Sequence, residues 1–569
     1  MRVSHAMVER LAAAGIDTVF GIPGTQTLPL NDAIERRDDI RHVMARHETA
    51  VTHQAWGYAE TCGDPAGTLV VPGPGDMNAM NGLQNARNDC TPLVHIAVET
   101  DPEIRGGGGI HETPPETYDT VVKSNVVVDQ PEGTAAALEA AIATAERPPK
   151  GPVRVGVPKR FLSLDRPVAT PGEYSRESVS GVAEDDIDAA TDLLAPAERP
   201  VIVAGGGVRA GNASAELRRV ADRLGAPIVT TYKGKGVVPD GSGGYVAGTL
   251  AGSASPALLE LLANADAALA VGTDFDAMTT RTWSVDLPAD LVHVTLSPAD
   301  LVHVTLSPAD LVHVTLSPAD LGNGYEPAVG VVADAADALS ALEATLGDRD
   351  GGRADGSARE RARRVRRATS RRLEELRGSS PPLTSVSALE TIRDAVPRET
   401  IVTLDAGGFR VWALNAFEAA GPRSYVNPGS WATMGTGLPS GIGAQFANPD
   451  DDVVVLTGDG GLLMCVHELH TAVAEELPIT VVVFVNEDYA IISDEADRAF
   501  ELAADTYGWG DAPIDFTALA ASFGMRAERA ETPAAIESRL AAAISAAEPV
   551  LLAVPTDPAE PQASDWMGE

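Results

Sequence analysis

A chain of 569 residues, 44% of them hydrophobic, has room for about three domains and a large buried core. Its formal charge of −38 would repel phosphate and argues against a nucleic-acid partner. No apolar run reaches the roughly 18 residues of a membrane helix, and Met1-Arg2-Val3-Ser4-His5 leads into an amphipathic helix rather than a secretory signal, so a cytoplasmic protein without a membrane partner is expected. Lys123, Lys150, Lys159, Lys233 and Lys235 are the only lysines, against abundant Asp and Glu and 4% aromatic residues. That balance fits a protein kept soluble in a salt-rich cytoplasm, a halophilic setting; an acidic enzyme from a GC-rich genome would share it. Cys62, Cys90 and Cys465 have no metal-ligand spacing and imply no disulfide.

The first domain is expected over residues 1–165. Val19-Phe20-Gly21-Ile22-Pro23-Gly24 reads as a strand running into a Gly/Pro loop. Arg46-His47-Glu48 marks a strand end entering a helix, and Leu69 to Asn78 is a further apolar strand ending in a Gly/Pro-rich loop. These loops gather at one sheet edge, where ligands bind in open α/β sheets. Gly106-Gly107-Gly108-Gly109 precedes a loop, Ile110-His111-Glu112, and Gly151 to Pro158 closes the domain. Pro167 to Glu184 reads as linker. The central domain, 183–346, carries Pro200 to Gly207, a strand into glycines whose third dinucleotide-loop position is Ala210, so a dinucleotide fingerprint is incomplete.

Within that domain Leu291-Val292-His293-Val294-Thr295-Leu296-Ser297-Pro298-Ala299-Asp300 recurs unchanged at 301–310 and 311–320. Each copy reads as a strand followed by a helix start, with Ser as N-cap and Pro at the first helical position. Ten residues is too short for a solenoid unit, which points to tandem duplication or an error in sequence assembly. One copy should occupy the sheet, and the other two should be extruded as a loop or added as an edge hairpin. His293, His303 and His313 recur only because everything else does, and no metal is assigned to them.

Residues 347–381 form a charged connector with a basic helix over Ala358–Arg377, expected to pair with the acidic surface. The last domain spans 382–555, followed by a tail, 556–569, expected to be mobile. Val453 to Leu456 reads as a buried parallel strand, Leu462 to Glu476 as a helix, and a second strand ends at Asn486. Thr457-Gly458-Asp459-Gly460-Gly461 lies between strand and helix, with 25 residues separating Gly460 from Asn486. This β-α-β unit brings a carboxylate and an amide oxygen to one sheet edge beside Gly-rich backbone, a set suited to Mg²⁺ or Ca²⁺ carrying a diphosphate.

Together these segments resemble the thiamine diphosphate enzymes of the acetolactate synthase and 2-oxoacid decarboxylase superfamily, over nearly the whole chain. The resemblance implies an α/β fold of three doubly wound parallel-sheet domains: pyrimidine-binding, central and diphosphate-binding. It implies that Asp459 and Asn486 bind Mg²⁺ through side chains and Asp488 through its backbone carbonyl. Glu48 matches the glutamate at the aminopyrimidine ring. Asn427 to Pro439 resembles the segment that bends the cofactor, with Met434 beneath it and the Ala432 carbonyl accepting from its amino group, where relatives often have Gly. Asp405-Ala406-Gly407-Gly408-Phe409 resembles the first diphosphate loop. Pro23, Gly24, Asn78, Gly407, Gly408, Gly458, Gly460 and Gly461 are assigned to the cofactor on the same match.

The chemistry accounts for these residue types. A carboxyl at N1′ favours the imine tautomer that removes the thiazolium proton, the role implied for Glu48; Met434 would act by shape. Addition to a 2-oxo acid and loss of CO₂ leave an enamine. Attack on a second 2-oxo acid makes an acetolactate synthase, acting in branched-chain amino-acid biosynthesis on a donor such as pyruvate; protonation makes a decarboxylase. A cofactor-binding protein without turnover is the third reading, opposed by intact Glu48, Asp459 and Asn486. For a synthase stand Phe20 to Gly24, Arg46-His47-Glu48, Ser430 to Pro439 and Gly272-Thr273-Asp274-Phe275-Asp276. Against it, Ile110-His111-Glu112 replaces Phe-Gln-Glu, and Tyr489-Ala490-Ile491-Ile492 lacks the Met and Trp of the synthase pocket. His111 is either an exposed loop residue or a proton shuttle. Gly248 to Gly252 lacks the Met-His that lies against FAD, which leaves FAD open. The resemblance also implies a homodimer or homotetramer and leaves room for a regulatory small subunit.

Overall fold

The computed structural model of the protein describes residues 1–166, 181–241, 244–288, 290–295, 311–314, 325, 328–347, 357–503 and 506–568. Three parallel sheets, of six, seven and six strands, follow one another along the chain. In space the first runs Arg41–Met44, Thr18–Gly21, Ala66–Val70, Leu93–Glu99, Val153–Pro158, Ser124–Val127. The third runs Tyr425–Val426, Ile401–Leu404, Val453–Gly458, Ile479–Val485, Val550–Pro555, Arg526–Arg529. Both share one order: second, first, third, fourth, sixth, fifth. The direction of build reverses between first and third strands, so the loops leaving those strands diverge and open a crevice. Helices cover both faces, which is why Val453 to Thr457 and Ile479 to Val485 are buried at every residue and apolar at nearly all of them.

The helix expected over Leu462–Glu476 is two helices, Asp459–Cys465 and Glu468–Ala474. The apolar period continues through both, so it hid the break. The second helix opens with Glu468, whose carboxylate reaches the first domain. It accepts from the backbone N–H of Arg46 at 2.8 Å and His47 at 3.1 Å, and from Gln54 Nε2 at 3.0 Å. The same two domains meet where helix Glu48–Cys62 lies on helix Gly437–Ala447. A Cβ on Gly57 would stand 2.3 Å from the Ser440 carbonyl oxygen, and one on Gly443 1.8 Å from that of Gln54. Only glycine permits that approach.

In the central sheet the first repeat copy forms strand Leu291–Thr295, between Ala267–Val271 and Val329–Val332. His293 is buried there, its Nε2 2.6 Å from the Thr273 carbonyl oxygen and its ring 4.8 Å from Phe275. The third copy forms a parallel strand, Leu311–Val314, with Val312 opposite Val329 and Leu311 opposite Leu291. That copy is thus an added edge strand paired parallel, neither a loop nor part of a hairpin with the first copy. The second copy, with His303, and most of the linker from Pro167 lie outside the described residues.

The connector helix is Ser357–Leu373. Its arginines reach backbone as well as acids: Arg361 donates to the carbonyls of Pro200 and Gly225, while Arg363 pairs with Glu360. No helix among the described residues is long and apolar enough to cross a membrane. The tail, expected to be mobile, instead docks. Met567 is fully buried, and Trp566 Nε1 donates to the Arg372 carbonyl at 3.1 Å. Glu560 accepts from the Ser385 N–H at 2.6 Å and from its hydroxyl. Burial pushes the Glu560 carboxyl up to about 7 despite those donors.

Two tests follow from this packing. A variant lacking residues 301–320 keeps the first copy between its two neighbours, so its circular dichroism and melting midpoint should match the full chain; loss of folding would place the extra strand in the core. For the tail, the raised pKa of Glu560 means that the docked state favours the protonated carboxyl. Docking should be strongest below the ordinary value of 4.5 and weaken as pH rises to about 7. Amide exchange across 563–568, corrected for intrinsic rates, should quicken over that window in the wild type and stay flat in Glu560→Gln.

Candidate active site at the sheet switch points

The third domain's crevice opens between the ends of Ile401–Leu404 and Val453–Gly458. Asp459 is the first residue of the helix that begins there. Its carboxylate accepts from the N–H groups of Gly460 at 2.8 Å, Asn486 at 3.0 Å and Glu487 at 2.7 Å. Burial nonetheless pushes it up to about 6. The Asn486 side-chain oxygen accepts from the Asp488 N–H at 3.2 Å. All three residues line one cavity of ≈ 330 Å³, with Gly407, Gly408, Ala432, Met434, Gly458, Gly460 and Gly461.

The lining fits a diphosphate and its cation. A carboxylate, an amide oxygen and a backbone carbonyl are hard oxygen donors, and Mg²⁺ held by few protein ligands completes its shell with phosphate and water. No group of three His, Cys, Asp or Glu that could hold a metal by itself occurs among the described residues. A Cβ on Gly460 would stand 2.6 Å from Tyr489 Cε1 and 3.2 Å from Met434 Cε, so bare backbone is required at that point of the wall. Gly407 has φ 148°, a conformation an L side chain rarely adopts. Ala432 lies in the left-handed region at φ 45°, which explains why glycine suits that position. Phe409 stacks on Phe484 at 4.8 Å and 11°, an apolar wall beside the polar edge.

Asp405 organises this cavity and has no assigned role in the sequence reading. It is fully buried at the end of strand Ile401–Leu404. Its carboxylate accepts from the N–H groups of Ala406 at 2.8 Å, Gly435 at 2.9 Å and Thr436 at 3.2 Å, and from the Thr457 hydroxyl at 2.9 Å. These bonds fix the backbone just after Met434. A signal existed: Asp405 and Thr457 sit at the ends of the two strands that flank the switch point. Glu560 and Gln562 also line the cavity, and nothing in the tail's composition pointed there.

The first domain gathers a second cluster at its own switch point. Glu48 opens helix Glu48–Cys62, capped by His47, whose Nδ1 accepts from the Thr49 N–H at 3.2 Å. Asn78 Nδ2 donates to Glu48 Oε2 at 3.1 Å, and a Cβ on Gly75 would stand 3.1 Å from Glu48 Oε1. The Gly24 loop packs on Val71, and the His111 backbone on Gly73, while the His111 side chain and Pro23 are exposed. None of Pro23, Gly24, Glu48, Asn78 or His111 lines the cavity that holds Asp459, whose lining comes wholly from residues 385–562. The Glu48 cluster and the cavity of Asp459 are therefore separate in one chain.

Replacing Asp405 by Ala strands three N–H groups and a hydroxyl in the interior. The unfolding free energy should fall by about 3–5 kcal/mol, and amide exchange at Gly435 and Thr436 should quicken; unchanged exchange there would remove Asp405 from this role.

The chain matches known families along most of its length. Residues 1–120 match the N-terminal TPP binding domain of thiamine pyrophosphate enzymes, 187–342 their central domain, and 405–554 their C-terminal TPP binding domain. The chain is 29% identical to a probable acetolactate synthase large subunit of Methanocaldococcus jannaschii, over 98% of this chain and 93% of that protein. It is 28% identical to the acetolactate synthase isozyme 1 large subunit of Escherichia coli K12, over 97% and 94%. With a probable 2-ketoarginine decarboxylase of Pseudomonas aeruginosa it shares 31% identity, over 87% and 84%. Its three parallel sheets and these matches place the chain in the acetolactate synthase-like family of thiamine pyrophosphate-dependent enzymes.

Proposed function

We propose that this protein is a thiamine diphosphate- and Mg²⁺-dependent enzyme that decarboxylates a 2-oxo acid, pyruvate first among the candidates, and joins the remaining fragment to a second 2-oxo acid. The observation that carries this reading is the convergence of Asp459, Asn486, Asp488, bare Gly460 and Met434 on one cavity at a switch point. Asp459 and Asn486 would hold Mg²⁺ by side chains and Asp488 by its carbonyl. Ala432 would accept a hydrogen bond through its carbonyl, and Met434 would set the shape of the wall. When bound, thiamine diphosphate supplies the carbon nucleophile and takes up the electrons released with carbon dioxide. Glu48 would hold a proton at the pyrimidine ring, which requires its half-site to come from another chain. Met77, Trp431 and Met464 are 49%, 45% and 51% exposed. Met77 and Asn81, which accepts from Trp431 Nε1, share the helix Pro74–Asn88, while Met464 abuts Gly435. An apolar surface there suits a homodimer contact.

FAD has little to hold it. The central Gly205-Gly206-Gly207 loop is spent on packing, since a Cβ on Gly205 would stand 2.1 Å from the Gly272 carbonyl oxygen. In the lining of the nearby cavity, ≈ 140 Å³, Asp274, Asp276 and Asp334 outnumber Lys150 and Lys233, and Lys233 is already held by Glu60 and Asp89, so the lining opposes a pyrophosphate. These residues do not fit a flavin dinucleotide, and no step runs through one.

A simple decarboxylase is the second reading. The identity with a probable 2-ketoarginine decarboxylase favours it, as does exposed His111 beside the Glu48 cluster, an imidazole free to deliver a proton. The relatives named large subunit support a search for a small-subunit partner.

Calorimetry should show that Asp459→Ala and Asn486→Ala lose Mg²⁺-dependent binding of thiamine diphosphate. Glu48→Gln should keep that binding and lose more than about tenfold in turnover. Mixing the inactive Glu48→Gln and Asp459→Ala proteins should restore some active sites by subunit exchange. Product analysis with a panel of 2-oxo acids in high salt separates ligation from aldehyde release. Unchanged cofactor affinity in both metal-site variants, or no consumption of any acid, would defeat the proposal.

A further inference from the structure

Arg410 stands in the first turn of helix Gly408–Ala416. It lines the cavity of Asp459 and also a second one of ≈ 390 Å³ that shares a wall with it. Val411, Ala432, Ile491, Ile492 and Gln562 complete the shared wall. Arg410 Nε donates to Asn427 Oδ1 at 2.6 Å and Nη2 to the Pro428 carbonyl at 2.9 Å. Its guanidinium carbon lies 5.9 Å from the Tyr232 ring centre. Among the described residues the remaining nitrogen, Nη1, makes no hydrogen bond and Arg410 forms no ion pair.

That absence needs a cause in a chain with 81 Asp and Glu against 43 Lys and Arg. The acids whose charge is felt at Arg410 are engaged elsewhere. Asp89 Oδ2 accepts from Lys233 at 2.7 Å and from Trp56 at 3.1 Å, and Asp405 serves four donors. Burial holds Arg410 below the ordinary arginine range. A desolvated guanidinium with a spare N–H and no carboxylate is costly unless an anion arrives. In the second cavity the other cation, Arg498, is already paired with Glu495 and lies 3.8 Å from Asp565. The central-domain side offers Tyr232, Ala251, Gly252 and Met278, none of them charged at neutral pH. Asp494 and Glu495, on the helix that carries Arg498, and Asp565 also line that cavity, so an anion is drawn to its Arg410 end, where among the described residues the guanidinium has no carboxylate on it.

We propose that Arg410 recognises the carboxylate of a 2-oxo acid in the second cavity and so holds its oxo carbon toward the shared wall at Ala432 and Ile491. The proposal rests on the 2-oxo acid reading above and adds the residue that selects for the acid group. A monocarboxylate is the chemistry required; the cofactor's own diphosphate is the other anion that could claim the guanidinium.

The test uses the full-length holoenzyme, with a non-reactive 2-hydroxy acid and its neutral amide as probes. The wild type should bind the acid at least about tenfold more tightly than the amide, and the acid should inhibit competitively. Arg410→Gln should erase that preference and raise KM for a consumed 2-oxo acid by about tenfold, more than it lowers kcat. Its affinity for thiamine diphosphate should move less than about twofold. Arg410→Lys should keep an intermediate preference and decides the matter if the Gln variant misfolds. A wild type without acid preference, a preference unchanged in both variants, or a loss confined to cofactor affinity would each overturn the proposal, the last by giving the guanidinium to the diphosphate. Failure of the wild type to consume any 2-oxo acid would defeat the functional reading instead, while probe binding would still decide the role of Arg410.

Discussion

One ammonium group stands where the three domains meet. Lys233 Nζ, from the central domain, lies 3.0 Å from Glu60 Oε2 and 2.7 Å from Asp89 Oδ2 of the first domain. It donates at 3.2 Å to the Asn427 carbonyl of the third, and sits 5.0 Å from the Trp56 ring centre. Arg209 adds a second cation at Glu60, 2.6 Å away, so two carboxylates face two cations and the cluster is neutral. Burial alone would raise Glu60; Arg209 and Lys233 outweigh it and hold it at about 2. Such a cluster contributes less to net stability than to geometry, because removing any member leaves an uncompensated buried charge.

The geometry reaches the cavity of Asp459 through a few residues. Asp89 accepts from the Gly429 N–H at 3.3 Å, and a Cβ on Gly429 would stand 1.8 Å from its Oδ1. Residues 427–429 are thus pinned at both ends, by Lys233 and by Asp89. The Asn427 side chain then holds Arg410 on one side, and the chain continues to Ala432 and Met434 on the other. From there Asp405 takes over, fixing Gly435 and Thr436. The walls of both cavities are therefore set by polar contacts within the third domain and by others that reach it from Lys233 and Asp89, which is how a site built from loops keeps its shape.

Much of this could be read from the sequence, and the reasons are physical. Val453 to Leu456 and Ile479 to Val485 are apolar runs because both faces of their sheet are covered, and turn residues mark where they stop. The Asp459 and Asn486 cluster was legible because strand, helix and strand fix where both side chains emerge. Helix continuity at Val466-His467 was not, since an apolar stripe has the same period on either side of a break. The docked tail was hidden because Met567, Trp566 and Glu560 find their partners far away in sequence. Lys233 read as one of five lysines, and only the three-dimensional meeting of Glu60, Asp89 and Asn427 gives it a role. Arg410 carried no signal in the sequence, because its partners Asn427 and Pro428 lie 17 and 18 residues away.

The separation of the Glu48 cluster from the cavity of Asp459 within one chain bears on how the outer domains pack. On helices Glu48–Cys62 and Gly437–Ala447, Gln54 meets Gly443 and Gly57 meets Ser440, so the two run antiparallel. In that register the start of the second helix, just after Met434, lies opposite residue 60. Glu48 is twelve residues away along its helix, about 18 Å at the α-helical rise. A carboxylate side chain spans a small part of that distance. The loop before Met434 returns toward the first domain, where Asn81 Nδ2 donates to Thr433 Oγ1 at 3.2 Å, yet neither Glu48 nor Asn78 lines the cavity of Asp459. The two switch points of like topology therefore carry separate clusters in one chain, Glu48 at one and Asp459 at the other.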